Sequence, residues 1–167
     1  MDIVIKLLEE QDAGTLLDFE RRNRSLFEQS VPSRGEAYYD PAVFKVRHEE
    51  LLAEQAQGLS RFYLIWSSDG QLVGRINLID IDPAIQEAEL GFRIGENFTG
   101  KGIGRNAVRS LLAKEPGIKR IKAKTTSTNF ASQKVLENNG FRQMNRQEEN
   151  VRQQEKSVTF FQYILEI

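Results

Sequence analysis

The segment Thr99-Gly100-Lys101-Gly102-Ile103-Gly104-Arg105-Asn106 carries the clearest chemistry in this chain. Three glycines alternate with larger residues, directly after a strand-like run and directly before a helix-like one. Alternating glycines bare the backbone N–H groups, and a following helix leaves its first donors unpaired and adds the positive end of its dipole. Such a turn cradles a phosphate or pyrophosphate. Lys101 and Arg105 add positive charge at its rim.

Two nucleotide-binding patterns come close to this spacing. Gly95-x-x-x-x-Gly100-Lys101 matches a Walker A loop, but Gly102 stands where that loop needs the Ser or Thr that ligates magnesium. A dinucleotide fold wants G-x-G-x-x-G near the first strand and an acidic residue ~20 positions on. Here the loop follows the fourth strand, and the glycines are spaced G-x-G-x-G.

The elements around the loop follow from periodicity. Ile3, Ile5 and Leu7 alternate with Val4 and Lys6 as a first strand, and Ala13, Leu16, Leu17 and Glu20 give helical spacing over 12–23. Residues 24–39 are irregular. Asp40-Pro41 is an N-cap followed by proline at the first helical position, so 41–57 should be helix, ended by Gly58. Residues 61–67 and 71–80, across Ser68-Asp69-Gly70, form a hairpin, and 86–94 form the next strand. A helix over 102–114 presents Ile103, Ala107, Val108, Leu111 and Leu112 on one face. A strand over 118–125, a helix over 129–138 closed by Gly140, and strands 141–146 and 157–167 across a polar loop complete the chain. The order predicts a mixed α/β sheet covered by helices, with 1–167 as one domain.

Composition narrows the chemistry. The 167 residues are 40% apolar and 28% charged with a net charge of −1, which gives no attraction to nucleic acid or to an anionic membrane. The run Lys119 to Lys124 alternates with apolar residues and reads as a strand with one solvated face. With no cysteine, disulfides, thiolate metal sites and a cysteine nucleophile are excluded. The single histidine, His48, cannot build a metal cluster; its spacing with Phe44 and Leu51 or Leu52 puts it on an apolar face as a structural residue. The N-terminus lacks the apolar core of a signal peptide and no apolar run approaches ~18 residues, so the expected location is cytoplasmic.

Residues 129–141 follow the pattern N-x-x-S-x-x-V-L-E-x-x-G-F. Together with the strand Ala88-Glu89-Leu90-Gly91-Phe92-Arg93-Ile94-Gly95 and the loop T-G-K-G-I-G, this resembles the GNAT acetyltransferase superfamily, and within it the bacterial branch of RimJ/RimL-type ribosomal-protein alanine acetyltransferases. The resemblance implies a twisted, mostly antiparallel mixed sheet of about seven strands flanked by about four helices. It also implies acetyl-CoA as cosubstrate, no metal, and an amine acceptor, either a protein N-terminus or a small amine. A homodimer is compatible with the strand order.

By the same resemblance, Thr99, Gly100, Lys101, Gly102, Ile103, Gly104 and Arg105 bind the pyrophosphate of coenzyme A. Thr99 stands where the family usually has Gln or Arg. The backbone around Phe92, Arg93 and Ile94 pairs with the pantetheine amides, and Asn129 and Ser132 lie near the thioester. Residues 24–39, with Arg34, Tyr38 and Tyr39, correspond to the acceptor entrance.

The chemistry then makes definite demands. A protonated amine has no lone pair, and removing its proton at pH 7 costs about 4 kcal/mol for a pKa near ~10. A carboxylate can take that proton directly or through water. Glu87, Glu89 and Arg93 share one strand face. Glu89 matches the family's acidic position as base, and Glu87 is the reserve and a candidate acceptor contact. Leu136 occupies the place where many members have a tyrosine acid, which leaves Ser132 as hydrogen-bond donor to the departing thiolate. The absence of cysteine fits direct attack in a ternary complex. A second reading of these motifs is a GNAT-like module that binds acyl-CoA without transferring the acyl group.

Overall fold

In the computed structural model, which describes residues 1–29, 33–153 and 156–167, a seven-stranded sheet runs in the order β1-β2-β3-β4-β5-β7-β6. The strands are β1 Ile3–Leu7, β2 Arg61–Ser67, β3 Leu72–Asp82, β4 Glu87–Ile94, β5 Arg120–Thr126, β6 Arg142–Gln153 and β7 Lys156–Glu166. Neighbours pair antiparallel except β4 and β5, which are parallel. The helices are α1 Ala13–Arg22, α2 Arg24–Phe27, α3 Pro41–Ala56, α4 Ile103–Lys114 and α5 Phe130–Asn138.

Helices cover both faces of the sheet. On one face, Ile103, Ala107, Val108 and Leu111 of α4 and Leu136 of α5 pack with Tyr63, Ile65, Ile76, Leu90 and Ile121. On the other, Leu16, Leu17 and Phe19 of α1 and Phe44 of α3 pack with Phe62 and Leu64. Strand β2 therefore contributes alternate residues to the two cores, as a two-sided central strand must. Each fully buried Leu or Ile contributes about 2 kcal/mol, so α4 is held by its apolar stripe rather than by its own turns.

The local signals are realised where they are local. Asp40 accepts from the N–H of Ala42 and Val43 at 3.0 and 3.3 Å, with Pro41 at the first position of α3. Gly140, at φ 88°, follows α5. Ile121 and Ala123 are buried while Arg120 and Lys124 are exposed, so the basic run is indeed a strand with a solvated face. Two expectations need correction. The irregular stretch contains α2 and a 3-10 turn at Glu36–Tyr39, which tertiary packing of Phe27 and Tyr38 stabilises without helical periodicity. Strand β6 continues past residue 146 to Gln153, because pairing of 148–153 with 156–161 supplies the ladder for a sequence with no apolar alternation. No helix among the described residues is long and apolar enough to cross a membrane.

Candidate active site

Helix α4 starts on Gly102, which sits at φ 75°, in the left-handed region where a side chain is strained. No side chain caps this end and its first turn holds no acidic residue, so the leading N–H donors are open to an anion. Gly104 has a different reason: a Cβ there would lie 3.1 Å from Cγ2 of Val135 and 3.7 Å from Phe92, so glycine brings α4 against α5 and β4. Lys101 and Arg105 are exposed at the rim, with the Lys101 ammonium 5.8 Å from the Phe98 ring centroid. Thr99 donates its hydroxyl to the Glu96 carbonyl at 3.1 Å, and its side chain thereby shapes the turn. Gly102→Ala should cost about 1 kcal/mol in the folded loop. Calorimetric titration should show about a fivefold loss of coenzyme A affinity if that strain moves the cradle by a comparable energy.

Beside the loop the sheet comes apart. The β4–β5 ladder holds only Glu87–Leu90 against Arg120–Ala123, yet β4 runs on to Ile94 and β5 to Thr126. Gly95 donates its N–H to Val73 of β3, whereas Gln86 accepts from Lys119 and Arg120 on the β5 side. Backbone direction alternates along a strand, so Gly91 and Arg93 spend their polar groups on β3. Phe92 and Ile94 turn theirs into the gap, where an extended amide chain finds the pairing that β5 no longer provides.

Glu89 is the last residue before that gap on the face away from α4, with Ile79 and Lys122 as cross-strand neighbours. A register irregularity between Ile79 and Asp82 puts Asp80 at φ 51°. There its carboxyl faces that of Glu89, and the pair can hydrogen-bond only while one of the two holds a proton. Partial burial, then this neighbour, push the Glu89 carboxyl above its ordinary range against the pull of Lys124 and Lys122. Nothing in the local sequence announced Asp80, because a bulge is a property of two strands. Glu87 is engaged elsewhere, 3.1 Å from Lys122 and 3.6 Å from Arg120.

Asn129 caps α5 by accepting from the Ser132 N–H at 3.1 Å. The Ser132 side chain is half-buried, with no hydrogen bond of its hydroxyl among the described residues. Asn129 and Ser132 follow directly on the free end of β5.

On the face opposite α4 lies a buried cluster that the sequence did not reveal. Glu20, 1% exposed, contacts Arg75 of β3, lies 3.4 Å from Arg93 and 3.8 Å from Arg34. Burial would raise its carboxyl; Arg75, Arg93 and Arg34 outweigh that and hold it below the usual range. Burial and the neighbouring Arg34 and Arg75 lower Arg93 to about 10, despite Glu20. The Arg93 side chain thus belongs to this cluster and its backbone to the β3 ladder. Arg34 donates to the Tyr38 hydroxyl at 2.6 Å, and Tyr38 meets Tyr39 edge-on at 5.0 Å. His48, 2% exposed, donates from Nε2 to the Glu9 carbonyl at 2.9 Å and is structural. No group of three His, Cys, Asp or Glu among the described residues could hold a metal.

Comparison with known proteins agrees with this geometry. The "Acetyltransferase (GNAT) domain" family matches residues 2–142. "Probable N-acetyltransferase YjcK" of Bacillus subtilis is 32% identical over 83% of this chain and 80% of its own length. The "[Ribosomal protein uS5]-alanine N-acetyltransferase" of Escherichia coli is 24% identical over 83% and 74%. The solved structure of RimL, a ribosomal L7/L12 alpha-N-protein acetyltransferase in complex with coenzyme A, shares the fold at a TM-score of 0.87 and 20% identity, covering 99% of this chain and 94% of that one. The chain belongs to the GNAT acetyltransferase family and is an acetyl-CoA-dependent N-acetyltransferase.

Proposed function

We propose that residues 1–167 act as a single catalytic domain that uses the β4–β5 gap as a passage through the sheet, with acetyl-CoA on the α4 side and the amine on the Glu89 side. The observation that carries this reading is the pair of gap-facing backbones, Phe92 and Ile94, beside the uncapped start of α4. Gly100, Lys101, Gly102, Ile103, Gly104 and Arg105 hold the pyrophosphate, largely through backbone N–H groups. Phe92 and Ile94 bond the pantetheine amides, and Thr99 and Arg93 act by shaping the loop and the strand beside them.

Glu89 takes the proton from the ammonium, directly or through a water, and frees the nitrogen lone pair to attack the thioester carbonyl carbon. The C–N bond forms, the C–S bond breaks, and the further proton that the nitrogen sheds in becoming an amide passes to the departing sulfur, which leaves as the thiol of coenzyme A. The Ser132 hydroxyl hydrogen-bonds the departing sulfur, and Asn129 fixes Ser132 by capping α5. Arg34, Tyr38 and Tyr39 border the acceptor entrance, while Glu87 orders Lys122 at its edge. The acceptor class is a protein N-terminus, as the names of the relatives suggest, or a small amine.

Calorimetric titration of the folded protein with acetyl-CoA, with magnesium-ATP as control, tests the reading. Saturable micromolar binding of acetyl-CoA alone is the expected result, followed by acetylation of a peptide N-terminus or a small amine. Absence of acetyl-CoA binding would remove the cofactor assignment and every catalytic role built on it.

A further inference from the structure

A cavity of about 530 Å³ lies between α3 and the sheet, on the face opposite α4. Its polar lining is Arg34, Arg47, Arg75, Asn77, His48 and Tyr38, with apolar walls from Phe44 and Phe62 among others. Among the described residues no carboxylate lines it. Arg75 is 6% exposed and donates through Nη1 to Glu20, while its Nε has no partner. The Asn77 Oδ1 is buried and also unpartnered.

Charge is unbalanced here. One carboxylate, Glu20, faces three guanidiniums, those of Arg75, Arg93 and Arg34. The nearby Glu28 and Glu36 are both engaged by Arg24 instead, at 3.0 and 2.8 Å. Arg47 stands at the rim, 4.0 Å from Glu50 on the exposed side of α3. The inner end therefore holds three guanidiniums against one carboxylate, with Arg75 and Arg93 largely out of water and Arg34 exposed at the opening, and an uncompensated charge is costly where water is excluded.

The cavity adjoins the strand face that carries Glu89. Asn77 pairs across the strands with Gly91, and nothing lies within 4 Å of where a Gly91 Cβ would stand. Glu89 is two residues from Gly91 on the same face, and Arg75 two residues from Asn77 in the other direction. Each step is roughly 7 Å of strand.

We infer that the acceptor is an amine carrying an oxyanion, carboxylate or phosphoryl, which Arg34 and Arg75 bind in this cavity while the amine reaches Glu89 past Gly91. The inference rests on the transferase reading above. The separation suits a peptide N-terminus followed by an acidic residue, or a small amine with its anion at the far end of a chain; an α-amino acid is too short.

The test is calorimetric, on protein saturated with coenzyme A, and uses matched pairs of acceptors. The peptide Ala-Glu-Ala-amide is set against Ala-Gln-Ala-amide, ω-aminopentanoate against pentylamine, and aminopropyl phosphate against propylamine. The anionic member of at least one pair should bind about tenfold more tightly, as hydrogen bonds to a charged group allow. Added salt should shrink that preference, and Arg34→Gln should abolish most of it. Arg34 is partly exposed and only at the edge of the Glu20 contacts, so this variant folds where an Arg75 variant would not. A preference in the peptide pair alone identifies a protein N-terminus, and one in the small pairs alone a free metabolite; both support the inference. Equal binding within every pair, or a preference that Arg34→Gln leaves intact, overturns it. The transferase reading is judged separately, by the coenzyme A titration that opens the same experiment; failure there takes both down.

Discussion

Glu89→Gln should lower kcat by about a hundredfold, the low end of what a positioned general base contributes, with acetyl-CoA affinity unchanged. Glutamine keeps the volume and hydrogen-bonding reach of the side chain but cannot accept a proton. In the proposed reading the cofactor lies on the opposite face, against Phe92, Ile94 and the start of α4, so the substitution should touch the chemical step alone. The pH profile gives the mechanism a second handle. Burial and Asp80 raise the Glu89 carboxyl, and the base works only when ionised. Activity in the wild type should therefore climb with pH through a limb placed above the ordinary carboxylate range. That limb should vanish in Glu89→Gln. In Asp80→Asn it should move to lower pH, because one of the causes that raise Glu89 has been removed. Wild-type kcat in Glu89→Gln, with no lost limb, would transfer the proton to water or to another group.

Glu20→Gln should destabilise the fold by about 3–5 kcal/mol, since it strips a buried guanidinium, that of Arg75, of its charge partner. In a chain of this size the melting temperature should fall by roughly 10 °C, measurable by calorimetry or circular dichroism. The pH dependence has a definite sign. The Glu20 carboxyl is held below its unfolded value, so its contribution is fully present above the unfolded carboxylate range and is lost as pH falls through the depressed folded one. Acid unfolding should accordingly be shallower in Glu20→Gln than in the wild type. Replacing Glu20 and Arg75 together by apolar residues of similar volume should recover much of the loss, because it removes the uncompensated charge with its partner. An unchanged melting temperature in the single variant would mean that Arg75 finds another anion or water in place of Glu20.

The two predictions differ in how they became visible. Glu89 stood out as a candidate beforehand because strand alternation puts it on a face with Glu87 and Arg93, and the motif resemblance then ranked the acids. Glu20 was legible only as one more position in the helical stripe of α1. Its partners Arg75 and Arg93 lie 55 and 73 residues away, and no local pattern joins them. The same limit applies to Asp80, which reaches Glu89 only through an irregularity in the pairing of β3 with β4. The ladder of β6 beyond residue 146 was also hidden, because its polar sequence looks like a loop until β7 pairs with it.

By itself, then, the sequence determined whatever depends on neighbours along the chain: the glycine turn, the Asp40-Pro41 start of α3, the Asn129 cap of α5 and the apolar stripe of α4. These rest on φ preferences, capping and periodicity, which act over a few residues. Only the tertiary structure decided where the β4–β5 ladder stops, which carboxylate faces which guanidinium, and that the space beside Gly91 is open. Those outcomes depend on register and on the balance of desolvation against pairing among groups far apart in sequence, and both are set only when the sheet closes between its two helical layers.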